Sequence, residues 1–354
     1  MGAKLLTVLA AVWLAGGVAS GQAGGSVAST PTGLVVGSGN FFSPIVSDLD
    51  KAIAFYRDGL GLDASGTPSS AEANPALRNM FGLPDAQIRW LVARPPAMRT
   101  GVEMVEVSKA GGRPAERRVQ DSGAVTLIVL VRDLDAVFAR VKQAGAPVVT
   151  TGGGPMTVGG GKTRAVVVKD PDGHFIELAQ LDPLPETTAP ASANVIGVRV
   201  RLTVDDAPQA MRLYRDVMGL QQRTLDDFKN EPSVSAMLGL QGARFRIGMA
   251  QVPASGLIVE FIEFAGVDRR AVRSSLQDPG STRMQLQVRD IDAAIAALKG
   301  AGGTVVSTGG GPVELAGRAG GPSTKVAIVR DPNNLFVVLI QAPPAASPAA
   351  PRNP

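Results

Sequence analysis

Lys169-Asp-Pro-Asp-Gly-His-Phe-Ile-Glu-Leu-Ala-Gln180 is the stretch that decides how this chain is read. Asp170-Pro-Asp-Gly173 is turn chemistry: proline fixes φ, glycine allows positive φ, and aspartate bonds nearby amides. Phe175 to Leu178 then reads as a short strand, with Ile176 and Leu178 on one face and Glu177 on the other. A carboxylate on the inner face of a sheet must be hydrogen-bonded, paired with a cation or bound to a metal. The stretch also carries the one histidine of the chain, His174, which reads as a solvated turn residue.

A second stretch, Val46-Ser-Asp-Leu-Asp-Lys-Ala-Ile-Ala-Phe-Tyr-Arg-Asp-Gly-Leu-Gly-Leu62, reads as a capped helix. Asp48 is the N-cap, Ile53, Tyr56 and Leu60 share one face, and Gly59-Leu-Gly61 ends it. Together the two stretches resemble the vicinal oxygen chelate superfamily of glyoxalases, bleomycin-resistance proteins and extradiol dioxygenases. The resemblance implies an α+β fold in which paired βαβββ modules form cupped mixed sheets, with the chemistry inside each cup.

The pattern occurs four times. Strands at Asn40 to Ser47, Gln87 to Ala93 and Val102 to Val107 belong to the first unit; those at Ala124 to Val131, Pro147 to Thr150 and Arg164 to Lys169 precede the opening stretch in the second. An insertion, Ser69 to Leu83, carries Met80-Phe-Gly-Leu83 as a cover for the cup. After a Pro/Ala/Thr-rich segment the arrangement returns: Val204 to Leu220 echoes Val46 to Leu62, Met237-Leu-Gly-Leu240 echoes the cover, and Arg330 to Leu339 echoes the opening stretch. The expected division is a leader at 1–23, a disordered lead-in at 24–37, a first two-module domain at 38–181 and a linker at 182–194. A second two-module domain follows at 195–341, then a disordered tail at 342–354. Whether the domains pair within one chain or by dimerisation stays open.

Apolar content of 45% and charged content of 19% are ordinary globular values. A net charge of +4, without a dense Lys/Arg run and interleaved aromatics, argues against nucleic acid as a partner. Met1-Gly-Ala-Lys4, the apolar Leu5 to Ala15 and the small residues of Val18 to Ala23 read as an export signal, too short for a stable membrane anchor. The expected location is therefore periplasmic or secreted. The absence of cysteine removes disulfides, thiolate catalysis and cysteine-ligated metals.

Metal-dependent members of the resembling family place one ligand on each module's first strand, often a histidine, and a glutamate on the last strand. Position by position, the first-strand site carries over to Phe41, Thr126, Arg199 and Arg283, and the last-strand site to Glu103, Glu177, Glu260 and Val338. No first-strand position holds histidine, and one histidine cannot furnish the two that an extradiol iron centre requires. No cofactor is expected, and a divalent metal has at best Glu103 and Glu177. Those two carboxylates, in one cup, form either an acid/base pair or a solvated set. Arg199 and Arg283 beside Glu260 form either a structural ion pair or a site for an anionic ligand, with a net charge near +1 left at the second cup. Two functions follow: an exported small-molecule-binding protein without a histidine metal site, or a glyoxalase-type lyase or isomerase using Glu103 and Glu177.

Overall fold

Asp48, Asp133, Asp206 and Asp290 each accept a main-chain N–H three residues on, from Lys51, Ala136, Gln209 and Ala293. These N-caps satisfy donors that have no partner inside a helix. They open the main helix of each of four modules in the computed structural model, which describes residues 33–72, 74–114, 116–271, 273–316 and 322–343. The expected leader, most of the lead-in and nearly all of the tail lie outside the described residues.

The first module runs through β1 (Val35–Ser38), β2 (Ser43–Val46), α1 (Leu49–Ala54), β3 (Ser69–Ser70), α2 (Pro75–Phe81), β4 (Gln87–Ala93) and β5 (Val102–Ser108). The second has β6 (Val125–Val131), α3 (Leu134–Gln143), β7 (Met156–Val158), β8 (Thr163–Lys169) and β9 (Phe175–Leu181). In the third are β10 (Val195–Thr203), α4 (Ala207–Arg212), β11 (Gln221–Leu225), α5 (Pro232–Met237), β12 (Arg244–Gln251) and β13 (Ile258–Ala265). The fourth holds β14 (Thr282–Val288), α6 (Ile291–Gly300), β15 (Thr304–Val305), β16 (Val313–Leu315), β17 (Thr324–Arg330) and β18 (Phe336–Gln341). One device recurs in all four: a side-chain oxygen of the last strand accepts the first helical N–H. The pairs are Glu106 with Leu49, Gln180 with Leu134, Glu263 with Ala207 and Gln341 with Ile291, all at 2.8–2.9 Å.

The modules do not pair as neighbours in sequence. One sheet runs β15-β17-β18-β14-β2-β5-β4-β3 and so joins the fourth module to the first. The other runs β11-β12-β13-β10-β6-β9-β8-β7 and joins the third to the second. The joints are antiparallel pairings of first strands, Arg283 opposite Ser43 and Arg201 opposite Thr126. The fold class stands as expected, but each cup is built from one module of each domain, and the pairing lies within the chain. The apolar core between the sheets takes in Tyr56 from the π-helical turn Phe55–Gly59 that continues α1, Val141, Met211 and Leu298 from the helices, and Ile176, Leu178 and Leu339 from the strands. Each concave face carries a smaller cluster of its own.

Three smaller expectations need correcting. The lead-in is not disordered to Gly37: Val35–Ser38 forms a strand on β14, and Val35 donates to the Met218 carbonyl at 2.7 Å. Pro147 to Thr150 makes a single bridge, Val148 with Val168, because the loop turns away to meet the third module. His174 is not solvated but 2% exposed.

Candidate functional site

In the sheet shared by the second and third modules, strand alternation sends Val259 and Phe261 into the central core and turns Glu260 into the cup. Glu177 reaches the same cup from β9. Between these two carboxylates lies Arg201, 1% exposed, which donates from Nη1 to Glu177 Oε2 at 2.5 Å and from Nε to Glu260 Oε2 at 2.8 Å. Arg199 adds a longer contact, Nη1 to Glu260 Oε1 at 3.5 Å. Burial pushes the Glu177 carboxyl above its ordinary value, Arg201 opposes the rise, and the charge of Glu260 adds to it. Burial would lower the Arg201 guanidinium, but the two carboxylates outweigh it and hold it above its ordinary range. Two glutamates and two arginines sum to zero formal charge.

The other cup holds Glu103 and Arg283. Glu103 Oε2 accepts from Gln285 Nε2 at 2.7 Å and from Arg283 Nη2 at 3.3 Å, and Oε1 accepts from Asn40 at 3.3 Å. Gln285 also donates to Ser43 Oγ at 3.1 Å. Burial raises the Glu103 carboxyl, though Arg283 and these hydrogen bonds oppose it, and burial lowers Arg283 against the pull of Glu103. The Arg283 guanidinium lies 4.7 Å from the centre of the Phe81 ring.

The expected grouping is therefore redrawn. Glu103 and Glu177 belong to different sheets and cannot act as one acid/base pair or share one metal. Arg283 is not beside Glu260, so the net positive charge expected in the second cup does not arise. Thr126 faces Arg201 across the strand joint, whereas Phe41 packs in the apolar core. Val338 lines the apolar cluster of the first cup. Sequence reasoning missed Arg201, Gln285 and Ser43. For Arg201 and Gln285 the signal was available: each lies two residues beyond a first-strand arginine, hence on the same face of the strand. Ser43 carried none, since Phe41 two residues before it packs in the apolar core.

Both cups are covered as Met80 to Leu83 suggested. Met80 and Phe81 pack with Ile328, Phe336 and Val338, while Met237 and Leu238 pack with Phe245 and Phe264. The anchors match: Ser307 Oγ donates to the Met80 carbonyl at 2.7 Å, and Thr150 Oγ1 to the Met237 carbonyl at 2.8 Å. Each covering helix is thus held by the other module of its cup.

Away from the cups, His174 has its Nδ1 2.8 Å from Asp170 Oδ2 and its Nε2 3.1 Å from the Ser281 carbonyl. Both partners can only accept, so both ring nitrogens donate and the ring is an imidazolium. Tyr56 donates to the same Asp170 oxygen at 3.0 Å. In the duplicate, Tyr214 donates to Asp331 at 3.0 Å, and Leu335 stands where His174 does.

The divalent metal expected of this fold does not suit these residues. No group of three or more His, Cys, Asp or Glu side chains comes together among the described residues. The two carboxylates that do converge already accept hydrogen bonds from a guanidinium, which supplies the positive charge a metal would bring.

The family model for the Glyoxalase/Bleomycin resistance protein/Dioxygenase superfamily matches residues 40–178 and again 197–336. Glyoxalase I from Zea mays is structurally similar, with a TM-score of 0.54 at 18% identity over 85% of this chain and 92% of that one. A point mutant of the same maize enzyme gives 0.57 at 19% identity, over 85% and 93%. At these identities the likeness is one of fold. No curated protein matches by sequence. The chain belongs to the Glyoxalase/Bleomycin resistance protein/Dioxygenase superfamily, as two tandem glyoxalase-like domains whose modules pair crosswise.

Proposed function

We propose that the protein binds a small molecule without a metal, in the cleft between its two sheets where Arg199 emerges. The observation that carries this reading is Arg201, whose guanidinium bridges Glu177 and Glu260 and leaves neither free for a metal. Arg199 is the outer member of that cluster, with its side chain 11% exposed. It faces a cavity of about 610 Å³ whose wall includes Met98 and Arg99 from the first module and Leu130, Val198 and Leu257 from the other sheet. That lining suits an apolar body bearing one acidic group.

The apolar anion anilinonaphthalene sulfonate serves as a fluorescent probe of the cleft. The native protein is expected to bind it, and Arg199→Gln to weaken binding roughly tenfold, the worth of one charge-assisted hydrogen bond. Equal affinity in the two proteins would place the ligand elsewhere. The leader-like start of the chain further leads us to propose export. Mass spectrometry of protein recovered outside the cytoplasm should then show a start near Gly24, and an intact Met1 would contradict it.

A further inference from the structure

The positive charge missing from the cups lies elsewhere. Arg117, in the connection between the first two modules, is 9% exposed. It donates from Nη1 to the Gly123 carbonyl at 3.2 Å and from Nη2 to Ser274 Oγ, and its Nε is buried without a hydrogen-bond partner. Arg330 converges on the same point, donating from Nη2 to the Ser274 carbonyl at 2.7 Å. Neither arginine has a carboxylate within ion-pair distance among the described residues. The charge of Asp278 acts on both, and its oxygens accept from the main-chain N–H groups of Arg113 and Ser275. Burial, and then the neighbouring Arg330, push Arg117 down to about 10. It therefore stays charged at neutral pH.

Arg117 forms part of the wall of a cavity of about 680 Å³, separate from both cups and from the cleft at Arg199. The same wall holds Lys169, Arg118 and Arg270. Arg118 is neutralised by Asp121 and Asp268, at 2.6 and 3.0 Å, and Arg270 approaches Asp268 at 3.8 Å. Lys169 has no carboxylate partner among the described residues and lies 5.0 Å from the Phe175 ring centre. Of the acids in the wall, Asp121 is taken by Arg118, Asp172 accepts from the Ser47 N–H at 2.9 Å, and Glu116 is exposed. A buried guanidinium and an ammonium stand at one cavity with no carboxylate in ion-pair contact among the described residues, Asp172 and Glu116 of the same wall lying outside that distance. A desolvated charge is costly until a counter-ion reaches it.

We propose that this cavity, at the meeting of the two inter-module connections and the turn after Lys169, binds the oxyanion group of a small molecule, with Arg117 and Lys169 as its cations. The group is a carboxylate or a phosphate, both of which match the planar donor set of a guanidinium.

Inorganic phosphate and acetate serve as probes on the full chain, by thermal shift and calorimetric titration, against potassium chloride at matched ionic strength. One of the two is expected to raise the melting temperature beyond the chloride control, and the responding anion identifies the group. Arg117→Gln should weaken that binding at least tenfold. Lys169→Met, a change at a half-buried side chain that leaves the loops intact, should weaken it several-fold and keeps the test valid if Arg117→Gln does not fold. Arg199→Gln should leave it unchanged, which separates this site from the cleft. No response to either anion beyond chloride, or equal affinity in wild type and Lys169→Met, overturns the proposal.

Discussion

Arg201 occupies the space between two family-position glutamates, and His174 is buried as a cation. Neither is marked by a motif. Arg201 could have been reached by extending the period of two from Arg199, but nothing local says that Asp170 and the Ser281 carbonyl, from different modules, converge on one imidazole. Burial lowers the pKa of His174, but the charge and hydrogen bond of Asp170 and the Ser281 carbonyl raise it further, with Asp172 adding to the rise. Tyr56 and the edge of the Phe42 ring complete its surroundings. A folded value above 6.5 means that the stability it contributes is full below about that pH and is lost as pH rises through the folded value. Asp331, with no cation in ion-pair contact among the described residues, acts in the same direction. Burial holds it at about 6 against an ordinary 3.8, so its contribution is likewise lost as pH rises through that interval. Because the chain has a single histidine, proton NMR reads its imidazole without assignment. We expect a midpoint above 6.5, and a midpoint at or below that value would mean the ion pair with Asp170 does not form.

At the scale of the element, the sequence was legible where structure is local. The Asp48 N-cap, the shared buried face of Ile53, Tyr56 and Leu60, and the alternation along β9 appear as read. So do the covering helices, but what fastens them was not legible, since each anchor comes from a module far along the chain. Gly82 makes the point: its φ is +68°, and a Cβ there would sit 2.3 Å from the Val306 carbonyl oxygen of the fourth module. Gly239 repeats this at +70°, with a Cβ 2.6 Å from the Val149 oxygen. Gly82→Ala should therefore cost more than the roughly 1 kcal/mol of left-handed backbone strain, because the covering helix must also shift. Gly145→Ala, at φ +81° with nothing within 4 Å of the added atom, isolates the strain alone. Urea unfolding of both variants tests this, and equal losses would show that the helix is not docked on the fourth module.

For the whole molecule, duplication was plain in the sequence and the pairing of the duplicates was not. Any first strand presents nearly the same edge to any other, so repeats alone cannot say which modules join. The crosswise arrangement brings Glu177, Arg201 and Glu260 together from two domains and separates Glu103 from Glu177. It gathers the charged family positions Glu103, Arg283, Glu177, Glu260 and Arg199 into two buried polar clusters of balanced charge. A guanidinium occupies the place between the family carboxylates, and metal-free binding there is our proposal. Elemental analysis of the purified full chain, after incubation with zinc, nickel, iron and manganese salts and exhaustive dialysis, tests it most directly. Far less than one equivalent of any of them per chain is expected; near one equivalent, lost on Glu177→Gln or Glu260→Gln, would mean that the carboxylates hold a metal rather than the guanidinium.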